Sequence, residues 1–211
     1  MGGQFARAMP RAALRVLPDS VMCRARICPV IHAPRLDLVL MSPALMRALL
    51  AADWAEAERL LGARIPDDWR GGYWQWLGQR PDQAERDPSA VPWLPRVLLL
   101  RKDESARREA IVVGDAGFHG PPDAEGRVEI GYMVVSEHRR NGYAEEAVRA
   151  LMAWAAAEQG ITRFLAGISP QNTPSLNLIR KLGFVQVGTR QPGTRGEELI
   201  FHHGSENMQD R

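Results

Sequence analysis

Cysteine is nearly missing from this chain. Only Cys23 and Cys28 occur in 211 residues, so a cysteine nucleophile is excluded from everything that follows them. With His32 they form a loose Cys-x4-Cys-x3-His pattern that lacks the fourth ligand zinc normally takes, and it reads as coincidence. No apolar run approaches the ~18 residues a membrane helix needs. No Gly-x4-Gly-Lys-Ser/Thr loop and no three-glycine dinucleotide fingerprint occurs, which excludes the two commonest glycine-rich nucleotide cradles. Charge of one sign is also lacking: 27 basic against 25 acidic residues give +2, too little for a protein that binds nucleic acid by bulk charge. Lysine is scarce, with Lys102 and Lys181 the only two.

What charge bias exists sits at the front. Residues 1–35 hold six arginines and one acid, leaving 21 basic against 24 acidic residues in the remainder. This head lacks the apolar core of a secretory signal. Its Arg-rich, acid-poor character fits an organellar transit peptide, a disordered extension, or a start upstream of the true one, with Met22 as an alternative. The expected organisation is an extension over 1–33, a single domain over 34–205 and a tail over 206–211. At 45% hydrophobic and 25% charged, a chain of this length builds one core without disulfide or metal staples.

The body alternates strand and helix signals. Leu36–Met41 reads as a strand, and Ser42-Pro43 as the cap and first position of a helix to about Ala51. Asp53 caps a second helix, Trp54–Leu61, stopped by Gly62. Residues 81–95 read as a Pro/Asp-rich connector. Val97–Arg101 and Ala110–Phe118 form a hairpin, and Arg127–Ser136 is a longer strand. Gly142–Gln159 has the clearest helical period, with apolar residues at 144, 147, 148, 151, 152 and 155. Arg163–Ile168 is a strand, Thr173–Leu182 a helix, and Val185–Arg190 with Glu197–His202 a final hairpin. The strand–helix–strand unit from 127 to 168 predicts a parallel crossover. The fold class is therefore α/β (α+β mixed), a mixed and mostly antiparallel sheet flanked by helices.

Chemistry concentrates between the long strand and the best helix. A helix start exposes unpaired N–H groups and partial positive charge. In Arg139-Arg140-Asn141-Gly142-Tyr143-Ala144, small residues let the backbone approach a ligand and two arginines add charge. The segment is a candidate pyrophosphate cradle.

This stretch, Arg139-x-x-Gly142-x-Ala144, resembles the acetyl-CoA motif of the GNAT N-acetyltransferase superfamily. Glu129-Ile130-Gly131-Tyr132-Met133-Val134 is similar to its long fourth strand. Asn172-Thr173-Pro174-Ser175 and Arg180-Lys181-Leu182-Gly183-Phe184 resemble signatures of its RimJ/RimL-like branch. The likeness spans about residues 34–203. It implies a splayed parallel strand pair in a GNAT-like sheet, with acetyl-CoA as cosubstrate and no metal. Pantetheine would run along Met133, Val134 and Val135, pyrophosphate would meet residues 140–144, and Asn172 would bond the pantetheine side.

The implied reaction is direct attack by a primary amine of a protein N terminus or a small molecule. Glu129, a charge amid apolar strand residues, is the candidate base, or else half of a structural ion pair. Ser175 is the candidate for positioning the sulfur or protonating the thiolate, or else a helix-start hydrogen bond. Trp74, His119 and Tyr132 are candidate acceptor-site residues, with core or turn packing as the plainer role of each. Asp67 and Asp68 either attract a cationic amine or start a helix. The alternative function is a CoA-binding regulatory module without turnover. A cytoplasmic monomer or homodimer is expected, without nucleic-acid or membrane partners.

Overall fold

A computed structural model of the chain describes residues 30–72, 74–101, 110–191 and 196–204. Both cysteines therefore lie outside the described residues. The strands are β1 (Val30–His32), β2 (Leu36–Leu40), β3 (Ala63–Arg64), β4 (Arg96–Leu100), β5 (Ala110–Phe118), β6 (Arg127–Val134), β7 (Arg163–Ile168), β8 (Val185–Arg190) and β9 (Glu198–His203). The helices are α1 (Pro43–Leu50), α2 (Trp54–Leu61), α3 (Asp67–Arg70), α4 (Arg80–Arg86), α5 (Tyr143–Gln159) and α6 (Thr173–Lys181). The sheet order is β1-β2-β4-β5-β6-β7-β9-β8, with the short β3 lying parallel on β5. Every pairing along the main path is antiparallel except β6 with β7, as the crossover reading predicts.

Helix ends fall where local chemistry puts them. Ser42 Oγ accepts from Leu45 N at 3.1 Å, Asp53 from Glu56 N at 3.1 Å, and Asn172 from Ser175 N at 3.2 Å. Each satisfies a donor the helix itself cannot. Gly62 and Gly160 adopt the left-handed conformation that ends α2 and α5.

Two apolar layers sandwich the sheet. On one face Leu38, Leu98, Phe118, Val128 and Ile130 meet α5 and α6 through Val148, Leu151, Trp154, Leu176 and Ile179. On the other, Val97, Leu99, Val112 and Val135 meet Leu45, Met46 and Leu49 of α1 and Trp69 and Trp74. β4 is covered on both faces, so its sequence Val-Leu-Leu-Leu reads as an unbroken apolar run rather than an alternation.

Two boundaries move. Among the described residues the sheet already includes Val30, ahead of residue 34: β1 pairs with β2 from Val30↔Val39 to His32↔Asp37, and Val30, Ile31 and Ala33 are buried. A tight turn joins the two strands, with Ala33 N bonding Leu36 O at 2.9 Å and Pro34 inside it. The segment expected as a connector carries α4, whose Pro81 occupies a first-turn position where a missing N–H breaks no helical bond. Arg47 of α1 holds α4 through Glu85, at 2.6 and 2.7 Å, and Asp82, at 2.8 Å. Among the described residues no helix is long and apolar enough to cross a membrane, and no group of three or more His, Cys, Asp or Glu is placed to hold a metal ion.

Candidate active site

The parallel pair β6/β7 is joined for only three registers, Arg127↔Arg163, Val128↔Phe164 and Glu129↔Leu165. Beyond Glu129 the two strands part. β6 continues along β5 to Gly114↔Val134, and β7 continues along β9 to Ile168↔Leu199. Main-chain groups of successive strand residues point to opposite edges. Glu129 O and Val135 N are bonded to β5, through His119 N at 2.9 Å and Val113 O at 3.0 Å. Tyr132 and Val134 therefore turn their main-chain groups toward the gap, while Met133 and Val135 turn theirs to β5. Of the three residues expected along pantetheine, Val134 faces the gap, Val135 is buried and Met133 packs against the α1-side core.

The cradle segment closes this end of the gap. A 3-10 turn at Ser136–His138 leads into Arg139–Gly142. Arg140 (φ 62°) and Gly142 (φ 79°) both take the left-handed conformation, and Asn141 between them donates Nδ2 to the carbonyls of His138 and Arg139 at 3.1 Å each. This curls the loop around the start of α5, which no side chain caps. The first-turn acids are already committed: Glu145 to Lys181 at 2.6 Å and to Arg149, and Glu146 to Arg35. Those cations neutralise the two carboxylates, and no side chain caps the helix N–H groups, so the start of α5 offers open donors of the kind an anion site requires. Arg139 Nε bonds Val134 O at 2.9 Å, Tyr143 lies under a guanidinium, and Ala144 keeps the first turn small.

That guanidinium belongs to Arg35, a residue the sequence did not single out. Its main-chain N and Nε donate to Glu146 at 2.6 and 2.7 Å, its Nη1 donates to Asn141 O at 2.9 Å, and it stacks 4.7 Å from the Tyr143 ring centre. The β1–β2 turn is therefore bolted to the cradle. Separations of 106 to 111 positions leave no short-range pattern from which to read this. Asp68 supports the same loop from the α3 side, accepting from Ser136 N at 2.6 Å and Ser136 Oγ at 2.8 Å. Those two bonds, the main-chain one foremost, hold its carboxyl below the usual carboxylate range. Asp67 is nearly fully exposed.

A charged cluster occupies the fork of the splay on the α1–α4 face. Both oxygens of Glu129 are held by Arg190, at 2.5 and 2.9 Å, and His119 Nδ1 lies 3.3 Å from Oε1. Arg190 also donates to Glu198 at 2.8 and 3.0 Å. Burial pushes the Glu129 carboxyl up, but His119 and Arg190 outweigh it and hold the group at about 2. Glycines make the room: a Cβ on Gly131 would meet His119 Nε2 at 2.6 Å, and one on Gly167 would meet Arg190 Nη2 at 2.6 Å and Glu198 Oε2 at 2.8 Å.

Tyr132 and Ser175 meet on the opposite face. The Tyr132 hydroxyl lies 3.5 Å from Ser175 O, at the limit of a hydrogen bond, and burial raises its pKa. Asn172 spends its Oδ1 on capping α6. Glu129 and Ser175, the two candidate catalytic residues, thus flank the gap from opposite sides of the sheet. Trp74 is buried in the α1-side core, edge-on to Trp69 at 4.3 Å, and does not line the fork. Trp69 Nε1 donates to Asp115 at 2.9 Å. Part of Asp115 reaches the surface, yet its carboxylate is enclosed by protein, and this desolvation pushes it up to about 6.

Residues 35–185 match the family model of the acetyltransferase (GNAT) domain, and the chain belongs to that family. The uncharacterised N-acetyltransferase YjdG of Bacillus subtilis is 39% identical over 88 residues, 42% of this chain and 49% of that protein. The chain spans about half the length of the curated relatives it matches. Among solved structures, an acetyltransferase of Agrobacterium tumefaciens has a TM-score of 0.54 at 21% identity, covering 84% of this chain and 95% of its own. RimJ of Mycobacterium smegmatis, in complex with CoA-disulfide, has a TM-score of 0.55 at 18% identity, covering 87% and 89%. These likenesses establish the fold.

Proposed function

We propose that the protein is an acetyl-CoA-dependent N-acetyltransferase acting on a primary amine. The observation that carries this reading is the fork. Two parallel strands separate after three registers, Tyr132 and Val134 turn their main-chain groups to the gap, where Val134 O accepts from Arg139 Nε, and the uncapped start of α5 closes one end. These residues fit acetyl-CoA: the strand edge suits pantetheine amides, and the amides of residues 140–144 with Arg139 and Arg140 suit a pyrophosphate. Fold neighbours include RimJ with bound CoA-disulfide.

The chain's own groups divide the chemistry between two faces. On the α1–α4 face Glu129, Glu198 and Arg190 sum to one negative charge, which draws a cationic amine into the fork. A main-chain N–H facing the gap can stabilise charge on a thioester oxygen. On the other face Ser175 and Tyr132 are the candidates to meet a leaving thiolate, and the hydroxyl of each can donate a proton. No covalent enzyme intermediate is needed. The acceptor is a protein N terminus, as the resemblance to the RimJ/RimL-like branch implies, or a small amine.

The test is release of free thiol from acetyl-CoA against a panel of peptides with free N termini and small alkylamines, beside calorimetry with acetyl-CoA alone. Turnover of at least one amine supports the enzyme. Tight binding without turnover would instead identify a CoA-binding regulatory module.

A further inference from the structure

Glu129 is poorly placed to take a proton. Both of its oxygens are occupied by one guanidinium that is itself fixed by Glu198. Its partner His119 is disposed differently. Its main chain is pinned by His119 N to Glu129 O at 2.9 Å and by Arg80 Nη2 to His119 O at 2.7 Å. Its ring lies over Gly131, with Nε2 where that residue's side chain would otherwise stand, one residue before Tyr132 and the opening of the gap. Nδ1 faces Glu129 at 3.3 Å, and the side chain is 52% exposed, within reach of an incoming acceptor.

We propose that His119 Nε2 is the proton acceptor for the incoming amine, and that Glu129 and Arg190 are positioning residues that act through it. The proposal rests on the acetyltransferase reading above. A carboxylate beside Nδ1 favours the tautomer with its proton there, which leaves the Nε2 lone pair free. An ammonium acceptor gives one proton to Nε2, which passes it to water. The freed nitrogen lone pair attacks the thioester carbonyl carbon; the C–N bond forms and the C–S bond breaks. The second proton leaves the nitrogen for the departing thiolate, giving amide and thiol. The charged groups facing the imidazole are Glu129 from β6, Arg190 from β8 and Glu198 from β9, with Arg80 of α4 at its carbonyl. The low Glu129 pKa keeps that carboxylate charged across the working range.

The experiment compares the full chain with His119→Ala, Glu129→Gln and Gly131→Ala, using whichever peptide or alkylamine of the panel the unaltered protein acetylates fastest. His119→Ala is expected to lose ~10²–10⁴ in kcat/KM, to lose the ascending limb of the pH–rate profile, and to regain turnover with added free imidazole. Its acetyl-CoA affinity by calorimetry stays within about twofold, since the cradle is untouched. Gly131→Ala, which displaces the ring, is expected to follow it in direction. Glu129→Gln keeps the limb at reduced rate. Nitrogen-15 NMR of the unaltered protein should show the proton on Nδ1. A proton on Nε2, or a His119→Ala variant that keeps its limb while Glu129→Gln loses it, would overturn the proposal and leave the acetyltransferase reading standing. Failure of the unaltered protein to acetylate any amine overturns both.

Discussion

The cradle and the fork cluster are both rich in arginine, yet they are built on opposite plans. In the fork, Glu129, Arg190 and Glu198 satisfy one another within 3.0 Å. In the cradle, the acids that could have neutralised the helix start are drawn away to Arg35, Lys181 and Arg149. Among the described residues no side chain caps the start of α5, the open end we propose for an anion. A closed network fixes the position and charge of a neighbour. An open array of donors binds an anion. Arginine count alone does not distinguish the two; the location of the carboxylates does.

That contrast can be broken at four points. Gly142→Val should act most strongly. At φ 79° a branched residue is strained, and its Cβ would crowd Arg35 Nη2 at 3.4 Å; calorimetry should show acetyl-CoA affinity down by about 10²-fold, an effect of about 3 kcal/mol.

Next, Glu129→Gln should lower stability at pH 7 by about 2 kcal/mol. The folded carboxyl is depressed to about 2. Its contribution is therefore full above the unfolded carboxyl value and is lost as pH falls through the folded value, so denaturant melts of the two proteins should converge only below about pH 2.

The sign reverses at Asp115. With a folded value raised to about 6, this group favours the folded state only while protonated, and its ionisation opposes folding as pH rises from about 4 to 6. Asp115→Asn keeps an acceptor for Trp69 and should stabilise by about 1 kcal/mol at pH 7, with no gain at pH 4. Equal effects at both pH values would show that the carboxylate is better solvated than its enclosure implies.

The smallest effect is expected at Arg140→Gln, three- to fivefold weaker acetyl-CoA binding that shrinks in high salt and leaves the melting temperature unchanged. Its side chain makes no ion pair among the described residues, so an open cation is lost rather than a structural one.

Much of this was legible in the sequence because it is local. The 3.6-residue period of α5, the Ser42 and Asp53 caps and the Gly62 stop are fixed within a few positions of themselves, and they appear as read; Asn172, expected toward pantetheine, caps α6. The parallel pairing of β6 and β7 followed from one strong strand–helix–strand run. What escaped was masked by composition or by distance. β1 was folded into an arginine-rich head because three residues are too few to show alternation. α4 was hidden by Pro81 and its neighbouring acids, which mark both loops and helix starts.

The sequence by itself determined the order of the main strands and helices from β4 onward and the family, and it nominated the cradle segment, since each rests on spacing within some twenty residues. Tertiary structure alone decided which charges are spent and which are open. Arg35 reaches Glu146 across 111 positions and Arg190 reaches Glu129 across 61. A carboxylate's protonation depends on the dielectric and the cations that folding brings within a few ångströms, and these leave no trace in the residues on either side of it.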